Sequence, residues 1–131
     1  VTPFFYVGID SILNLSDSTV EDGLASRGGG IYATSALSIS IERTIFRKNR
    51  ALNGGALYVI GIIDMDIKND TIFTENSATR GGDDIYIEGS NRITIGPQVW
   101  VTSPTTISKI YLEAIAQVTL RGLIVDSMAS T

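Results

Sequence analysis

The central third of the sequence contains five charged side chains of the types that polysaccharide cleavage uses: Asp64, Asp66, Lys68, Asp83 and Asp84. Such cleavage needs two carboxyl groups acting as general acid and base, or carboxylates with Ca²⁺ and a basic proton acceptor. An outward strand face must also be solvated, and aspartate does this while discouraging edge aggregation. We favour solvation of these outward aspartates over catalysis, because no insertion in the sequence is long enough to wall a cleft.

A calcium site is another interpretation of the same carboxylates. Asp83-Asp84 follow a glycine pair, and Asp64 and Asp66 could add oxygen ligands. Calcium prefers about 6 to 8 oxygens, and no single loop gathers that many. The sequence also lacks histidine, the commonest general base and metal ligand, and cysteine, which supplies disulfides and thiolate metal sites. We therefore predict a non-enzymatic protein with no cofactor and no metal.

The only basic cluster consists of Arg47, Lys48 and Arg50. It could contact an acidic glycan, or it could be a solvated corner, which is the commoner role of such a cluster. The formal net charge is −4, and 10 lysines and arginines are spread along 131 residues. Nucleic-acid binding needs a basic stripe that neutralises phosphates. We therefore expect no nucleic-acid partner.

Two glycosylation sequons occur, at Asn14-Leu15-Ser16 and at Asn69-Asp70-Thr71. About one is expected by chance, so the pair is no sign of secretion. In a secreted eukaryotic protein Asn69 is expected to be the better acceptor, exposed at a coil corner, with Asn14 partly inward. No apolar run approaches the roughly 18 residues of a membrane span. The chain does not begin with methionine, which predicts a processed protein or a piece of a longer one.

These side chains must be positioned by a repeat. Phe46 and Asn49 precede the pair Gly54-Gly55, just as Phe73 and Asn76 precede Gly81-Gly82, and the phenylalanine-to-glycine spacing is eight in both. An eroded upstream copy runs from Val20 to Gly28-Gly29, and its residues 25–29 align with residues 78–82. First glycines at 28, 54 and 81 are 26 and 27 residues apart. A fixed period of this size indicates a solenoid whose repeats bury apolar surface against their neighbours.

Strict alternation at residues 37–41 and 63–67 predicts two strands stacked one period apart. The inward residues of the first strand are expected under those of the second: Leu37 under Ile63, Ile39 under Met65 and Ile41 under Ile67. The glycine pairs are expected at crowded or left-handed corners, where Gly28, Gly54 and Gly81 would stack as a column. Phe46 and Phe73 are expected to stack inside over Val20, and Asn49 and Asn76 to form a hydrogen-bonded ladder.

The predicted fold class is all-β: a right-handed parallel β-helix of about five coils, with three short strands per coil and a period of 26 to 27 residues. Residues 1–131 are expected to form a single domain. Residues 1–7 form an apolar pairing or capping strand, residues 8–100 the regular coils, and residues 101–131 less regular C-terminal coils.

The motifs Phe46-x-x-Asn49 with Gly54-Gly55-Ala56-Leu57, and Phe73-x-x-Asn76 with Gly81-Gly82, resemble the FxxN and GGA-[I/L/V] repeats of polymorphic outer-membrane proteins of chlamydial type. The resemblance implies an extracellular or cell-surface β-helix used for adhesion, coat or fibre formation. Parallel β-helices also carry pectate lyases. The alternative is therefore a small carbohydrate-active enzyme or a glycan-binding module, with glycans as possible partners.

Self-association is the expected partner interaction. A β-helix has two open ends, and residues 108–117, the best helical candidate for a cap, read equally well as strand. The segment Phe4-Phe5-Tyr6-Val7 is unusually apolar for a chain start. It either folds over its own first coil or reaches a neighbouring subunit. We expect the second, with these residues as anchors of a head-to-tail filament.

Overall fold

A computed structural model describes residues 5–103 and 108–125 of the chain, with the side chain of Val125 excepted. These residues form 17 strands and no helix. The strands are parallel and stack as a β-solenoid of about four turns. The predicted all-β parallel β-helix is confirmed.

Three sheets of five parallel strands form the sides of the solenoid. Sheet 1 contains β1 (Phe5–Val7), β4 (Ile31–Thr34), β8 (Leu57–Ile60), β12 (Ile85–Glu88) and β15 (Ile110–Glu113). Sheet 2 contains β2 (Ile12–Ser16), β5 (Ser38–Glu42), β9 (Asp64–Lys68), β13 (Arg92–Ile95) and β16 (Gln117–Leu120). Sheet 3 contains β3 (Thr19–Glu21), β6 (Ile45–Arg47), β10 (Thr71–Thr74), β14 (Val99–Val101) and β17 (Leu123–Val125). One strand from each sheet makes one of five rungs.

A fourth side is shorter and connects sheet 3 to sheet 1. It consists of β7 (Arg50–Asn53) and β11 (Ser77–Gly81), which we call the corner sheet. Its register shifts between Ala78 and Gly81, where β11 bulges. A bulge adds a residue to one strand of a pair. The step from Leu57 to its partner Ile85 is accordingly 28 residues (85 − 57), against the predicted 27.

The interior of sheet 2 follows the predicted stacking. Ile39 pairs with Met65 and Ile41 with Ile67, and all four side chains are buried. The predicted inward positions of Leu37 and of Ile63 are both wrong, since both side chains are exposed. Leu37 precedes β5 and is exposed, because the chain is still turning there and buries the neighbouring Ala36 instead.

The interior of sheet 3 is built on aromatic rings. Phe46 and Phe73 are fully buried and stack with ring centroids 4.8 Å apart and planes 5° from parallel. Val20 pairs with Phe46 on one side, and Val101 pairs with Phe73 on the other. The predicted column of Val20 and two phenylalanines is confirmed, and it spans four rungs.

The N-terminal apolar segment forms the first strand of the solenoid. β1 pairs in parallel with Ile31–Ala33 of its own chain, with Val7 buried and Phe5 packed against the core. The segment therefore takes the first of the two expected arrangements, folding onto its own first turn. Contact of Phe5, Tyr6 and Val7 with a second copy stays a prediction, and Phe4 lies outside the described residues.

Candidate functional site

An interior row of polar side chains runs beside the phenylalanine column, where sheet 3 meets the corner sheet. Asn49 Oδ1 accepts a hydrogen bond from Gly23 N–H at 2.9 Å, and Asn76 Oδ1 accepts from Asn49 N–H at 3.0 Å and from Asn49 Nδ2 at 3.1 Å. Ser103 Oγ accepts from Asn76 N–H at 2.8 Å. The asparagine ladder is confirmed, and both amides also donate to a backbone carbonyl one turn below, of Val20 and of Phe46.

Asp84 is the last member of this polar row, and it accepts hydrogen bonds from two of the other members. Asn76 Nδ2 donates to Asp84 Oδ1 at 2.9 Å, and Ser103 Oγ donates to the same oxygen. Leu57 N–H donates to the carbonyl of Asp84 just as Ile31 N–H donates to that of Ala56. Asp84 therefore occupies the interior place that Ala56 occupies one turn below.

The expectation that Asp83 and Asp84 face outward is wrong, since both are fully buried. With the added residue in β11, Asp83 and Asp84 take the places that Gly55 and Ala56 occupy one turn below, and both of those places are buried. Asp83 Oδ1 accepts a hydrogen bond from Ala78 N–H at 2.7 Å. The pair is therefore separated from the aspartates of β9 by the wall of the solenoid.

Asp84 is the one described group whose titration is moved towards neutral pH. Burial raises the pKa of its carboxyl to about 6, although the hydrogen bonds from Ser103 and Asn76 oppose the shift. Its second oxygen, Oδ2, is buried without a partner among the described residues. Desolvation favours the protonated form of a carboxyl. The group is therefore neutral in mildly acidic solution and charged above it.

The corner glycines form a column, with one correction to the expected members. Gly28, Gly54 and Gly82 have φ values of 59°, 64° and 66°, and each lies three residues before a strand of sheet 1. The third member was predicted to be Gly81, but the bulge shifts the column by one residue. Gly81 pairs with Asn53 instead and has φ 136°.

The second glycines of the pairs are needed for close packing between turns. A Cβ on Gly29 would lie 2.5 Å from the carbonyl oxygen of Arg50, and a Cβ on Gly55 would lie 2.3 Å from that of Asp83. Real Cβ atoms do not approach backbone this closely. These positions therefore admit no side chain without backbone movement.

The outward aspartates lie on the outer face of sheet 2. Asp64 and Asp66 line a shallow groove of about 400 Å³ with Arg92, Thr94 and two serines of β5. Lys68 Nζ lies 3.1 Å from Asp66 Oδ2. The sequence therefore located this face correctly, but the fold does not add Asp83 or Asp84 to it.

The predicted basic cluster is dispersed. Arg47 forms an ion pair with Glu21, one rung below. Lys48 and Arg50 line a groove together with two acidic residues, Asp22 and Glu75. The cluster therefore does not present the concentrated positive charge that its sequence spacing indicated.

The two sequons differ in accessibility from the expectation. Asn14 lies on the exposed face of β2, not partly inward. Asn69 lies at a corner as predicted, but it is only partly exposed and its Nδ2 donates to Glu42 Oε2 at 3.2 Å. The amide nitrogen of Asn69 is engaged within the fold, so Asn14 is the more accessible of the two.

A tyrosine ladder on the outer face of sheet 1 was missed by sequence reasoning. One tyrosine from each rung stands in register, and neighbouring ring centroids are 4.4 to 5.4 Å apart. Its members are Tyr6, Tyr32, Tyr58, Tyr86 and Tyr111. Three of them follow a column glycine by four residues (32 − 28, 58 − 54, 86 − 82), which is the signal that could have revealed it.

Within residues 5–103 and 108–125, no group of three or more acidic, histidine or cysteine side chains is placed to hold a metal ion. The same residues include no helix with the length and apolar character needed to cross a membrane. Comparison with protein-family models, with curated proteins and with solved structures found no match to the chain.

Proposed function

We propose that this chain is a non-enzymatic extracellular or cell-surface module with a structural or adhesive role, which assembles head to tail into filaments. The carrying observation is the exposure of the core at the last rung. Val118 and Leu120 are 39% and 47% exposed, whereas their partners in the preceding rung, Ile93 and Ile95, are fully buried. The interior column is buried in one rung and solvent-exposed in the next. Its exposed end is apolar surface that a further rung would cover.

The first rung offers the complementary surface. β2 pairs only with β5, so its other edge is open among the described residues. Ser11 O accepts from Leu37 N–H, and Asp17 N–H donates to Glu42 O, so these odd-numbered residues face β5. Backbone groups of alternate residues in a strand point to opposite sides. The N–H of Asn14 is therefore directed to the open edge, where a parallel strand can pair.

Joining the last rung of one copy to the first rung of the next would continue all three sheets. The two surfaces are different, so the contact is heterologous, and repeated without closure it gives a filament. The occupant we propose is therefore a second copy of this chain. The competing possibility is that a further strand of the same polypeptide covers this end. A chain of residues 1–131 that stays monomeric would favour that possibility.

We also propose that the repeats of this chain are related to those of the polymorphic outer-membrane proteins. Within the chain, Phe46 and Asn49 of one sequence repeat contact Phe73 and Asn76 of the next repeat through the ring stack and the amide ladder. The motif thus has the same packing role in both repeats, which supports the resemblance. Surface display would be tested by immunolabelling of intact cells of the source organism, where labelling only after permeabilisation would contradict it.

Assembly is tested by Leu120→Lys with Thr119→Lys as the matched control on the same strand. Lysine at 120 places a charge on the exposed end of the core, while position 119 is partly exposed and paired with Thr94 of the outer face. We expect the wild type and Thr119→Lys to form filaments, seen by light scattering and electron microscopy, and Leu120→Lys to remain small. A wild type that stays monomeric at high concentration, or a Leu120→Lys chain that assembles as well, would contradict the proposal.

A second candidate function is a small carbohydrate-active enzyme, favoured by the groove that contains Asp64, Asp66 and Arg92. Carboxylates two residues apart on one strand face are separated by roughly 7 Å, which suits an acid and base pair that flank a water. The test is release of reducing ends or unsaturated products from polygalacturonate. Release by the wild type that is lost in Asp64→Asn and Asp66→Asn would replace the structural proposal.

A further inference from the structure

A groove of about 390 Å³ on the flank of the solenoid concentrates positive charge. It lies where the corner sheet approaches sheet 1. Its main lining residues are Ser26, Arg27, Tyr32, Leu52, Asn53 and Arg80. The described residues that line it include no carboxylate, and neither arginine forms an ion pair within the described part of the chain. The chain as a whole has a formal net charge of −4, so this groove is locally opposite in sign.

The two arginines are placed along the solenoid axis. Arg27 bridges to Asn53 one rung on, and Asn53 pairs with Gly81, the residue after Arg80. Two strand spacings separate the arginine positions by about 10 Å, which is comparable to the length of a disaccharide. Arg80 lies within the bulge between Ala78 and Gly81, next to the residue that pairs with Asn53.

Arg27 is held in place without losing its charge. Its guanidinium carbon lies 5.6 Å from the centroid of the Tyr58 ring, and its Nη1 donates to Tyr32 Oη at 3.4 Å. Elsewhere the solenoid neutralises an exposed arginine with an acidic residue one turn away. Arg43 and Asp17 form such a pair, with Arg43 Nε 2.8 Å from Asp17 Oδ1. Arg27 is instead oriented by two aromatic side chains. The carboxylate of Glu88 acts on it electrostatically but forms no ion pair with it, so its charge is available to an anion.

We propose that this groove binds acidic oligosaccharides, with Arg27 and Arg80 contacting carboxylates or sulfates on sugars about one disaccharide apart. Arginine is suited to this because its planar fork matches both anions with paired hydrogen bonds. Tyr32 and Leu52 supply apolar surface for sugar C–H groups, and Asn53 lies between the arginines to bond hydroxyls. Two cations are too few for a nucleic acid, which carries a phosphate on every nucleotide.

The site goes beyond the proposed assembly function and is independent of it. The groove is on the flank, whereas assembly uses the two ends, so it stays open in a filament. Repetition along a filament would present one groove per copy, and multivalent attachment to a polymer would strengthen binding without any new contact. An adhesive filament would then hold an acidic polysaccharide by many weak sites.

The experiment titrates the chain with four defined probes: oligogalacturonates for carboxylates, heparin oligosaccharides for sulfates, neutral dextran oligosaccharides, and single-stranded DNA. The variants are Arg27→Gln and Arg80→Gln, with Arg43→Gln as the control that removes the same charge from an ion-paired corner. Far-UV circular dichroism checks the fold of each variant. Assembly is blocked with Leu120→Lys in every chain, so that binding is measured on single copies.

We expect one or both acidic oligosaccharides to bind and dextran not to bind. Arg27→Gln and Arg80→Gln should each weaken binding about ten-fold, the worth of a charge-assisted hydrogen bond, while Arg43→Gln leaves it unchanged. Whichever of oligogalacturonate and heparin binds more tightly identifies the anion. Equal loss in all three variants, tighter binding of DNA than of either oligosaccharide, or no binding of either at millimolar concentration would overturn the proposal.

Discussion

The most consequential single residue is Asp84, because it introduces an ionisable group at a core position that carries no charge in the two preceding turns. Gly30 and Ala56 occupy the equivalent place in the two preceding turns and need no solvation. Asp84 satisfies one oxygen through Asn76 and Ser103 and leaves the other without a partner among the described residues. A buried carboxylate with an unsatisfied oxygen is costly, and protonation removes most of that cost.

The first prediction is that stability falls as pH rises through the titration of Asp84. Its pKa is about 6 in the folded chain against an ordinary value of 3.8 for aspartate, so the folded state binds more protons between these pH values. The free energy of unfolding should therefore decrease from about pH 4 to about pH 6 and level off above, by at most roughly 3 kcal/mol from this group. Urea unfolding at a series of pH values measures it.

Asp84→Asn should remove that dependence, because the amide keeps the acceptor oxygen and carries no charge. Asp64→Asn, on the exposed outer face, is the matched control and should leave the pH profile of the wild type intact. If Asp84→Asn retained the full decline between pH 4 and pH 6, another group would be responsible.

At the scale of the element, each corner is determined by backbone geometry more than by side-chain chemistry. Gly54 combines a positive φ of 64° with an approach that would place a Cβ 2.2 Å from the carbonyl oxygen of Leu57. Gly89 has nearly the same φ, 59°, and open space around it. The two glycines therefore separate the cost of a left-handed backbone from the cost of a steric clash.

The second prediction compares alanine at these two corners. Gly89→Ala should cost about 1 kcal/mol, the strain of a left-handed alanine. Gly54→Ala should cost roughly 3 kcal/mol or more, because the corner must also open to admit the methyl group. Thermal and urea unfolding of the two variants measure the difference. Equal costs would mean that the Gly54 corner relaxes freely.

The third prediction concerns the phenylalanine column. Phe73→Ala removes a fully buried ring that stacks on Phe46, and should cost about 3 to 5 kcal/mol. Asp66→Ala on the outer face should cost far less, since its contact with Lys68 is a surface ion pair. The urea midpoints of the two variants provide the comparison, and similar midpoints would contradict the inward and outward assignments.

At the scale of the whole molecule, parallel stacking makes the two ends of the solenoid chemically different. Among the residues that the structure describes, one end presents the open edges of β1, β2 and β3, and the other presents those of β15, β16 and β17. A contact between unlike ends grows without limit, whereas a contact between like ends stops at a dimer. Variants blocked at one end can distinguish these two modes.

The fourth prediction is that two blocked chains form a heterodimer. Asn14→Pro removes the N–H directed to the open edge of β2, and Leu120→Lys blocks the opposite end. Each chain alone should remain monomeric, while an equimolar mixture should yield dimers and nothing larger by light scattering. Asn14→Thr, which keeps the N–H, is the control and should form filaments. Dimers of either blocked chain alone would show that like ends pair.

The sequence by itself determined the solenoid, its strands and its interior columns. The spacing of Phe46 and Phe73, of Asn49 and Asn76 and of the glycine pairs is local and periodic, and a period converts directly into stacking when each repeat packs only on its neighbours. The strands predicted at residues 37–41 and 63–67 lie within one residue of β5 and β9, because alternation is a local property.

Tertiary structure decided what periodicity cannot express. A single added residue in β11 moved the corner glycine from 81 to 82 and placed Asp84, instead of Asp83, in the interior position of Ala56. Pairing between turns also placed Arg80 in the groove of Arg27, and it placed Arg47 against Glu21 one turn below. Which charges meet depends on pairing between turns, and that register exists only in the folded chain.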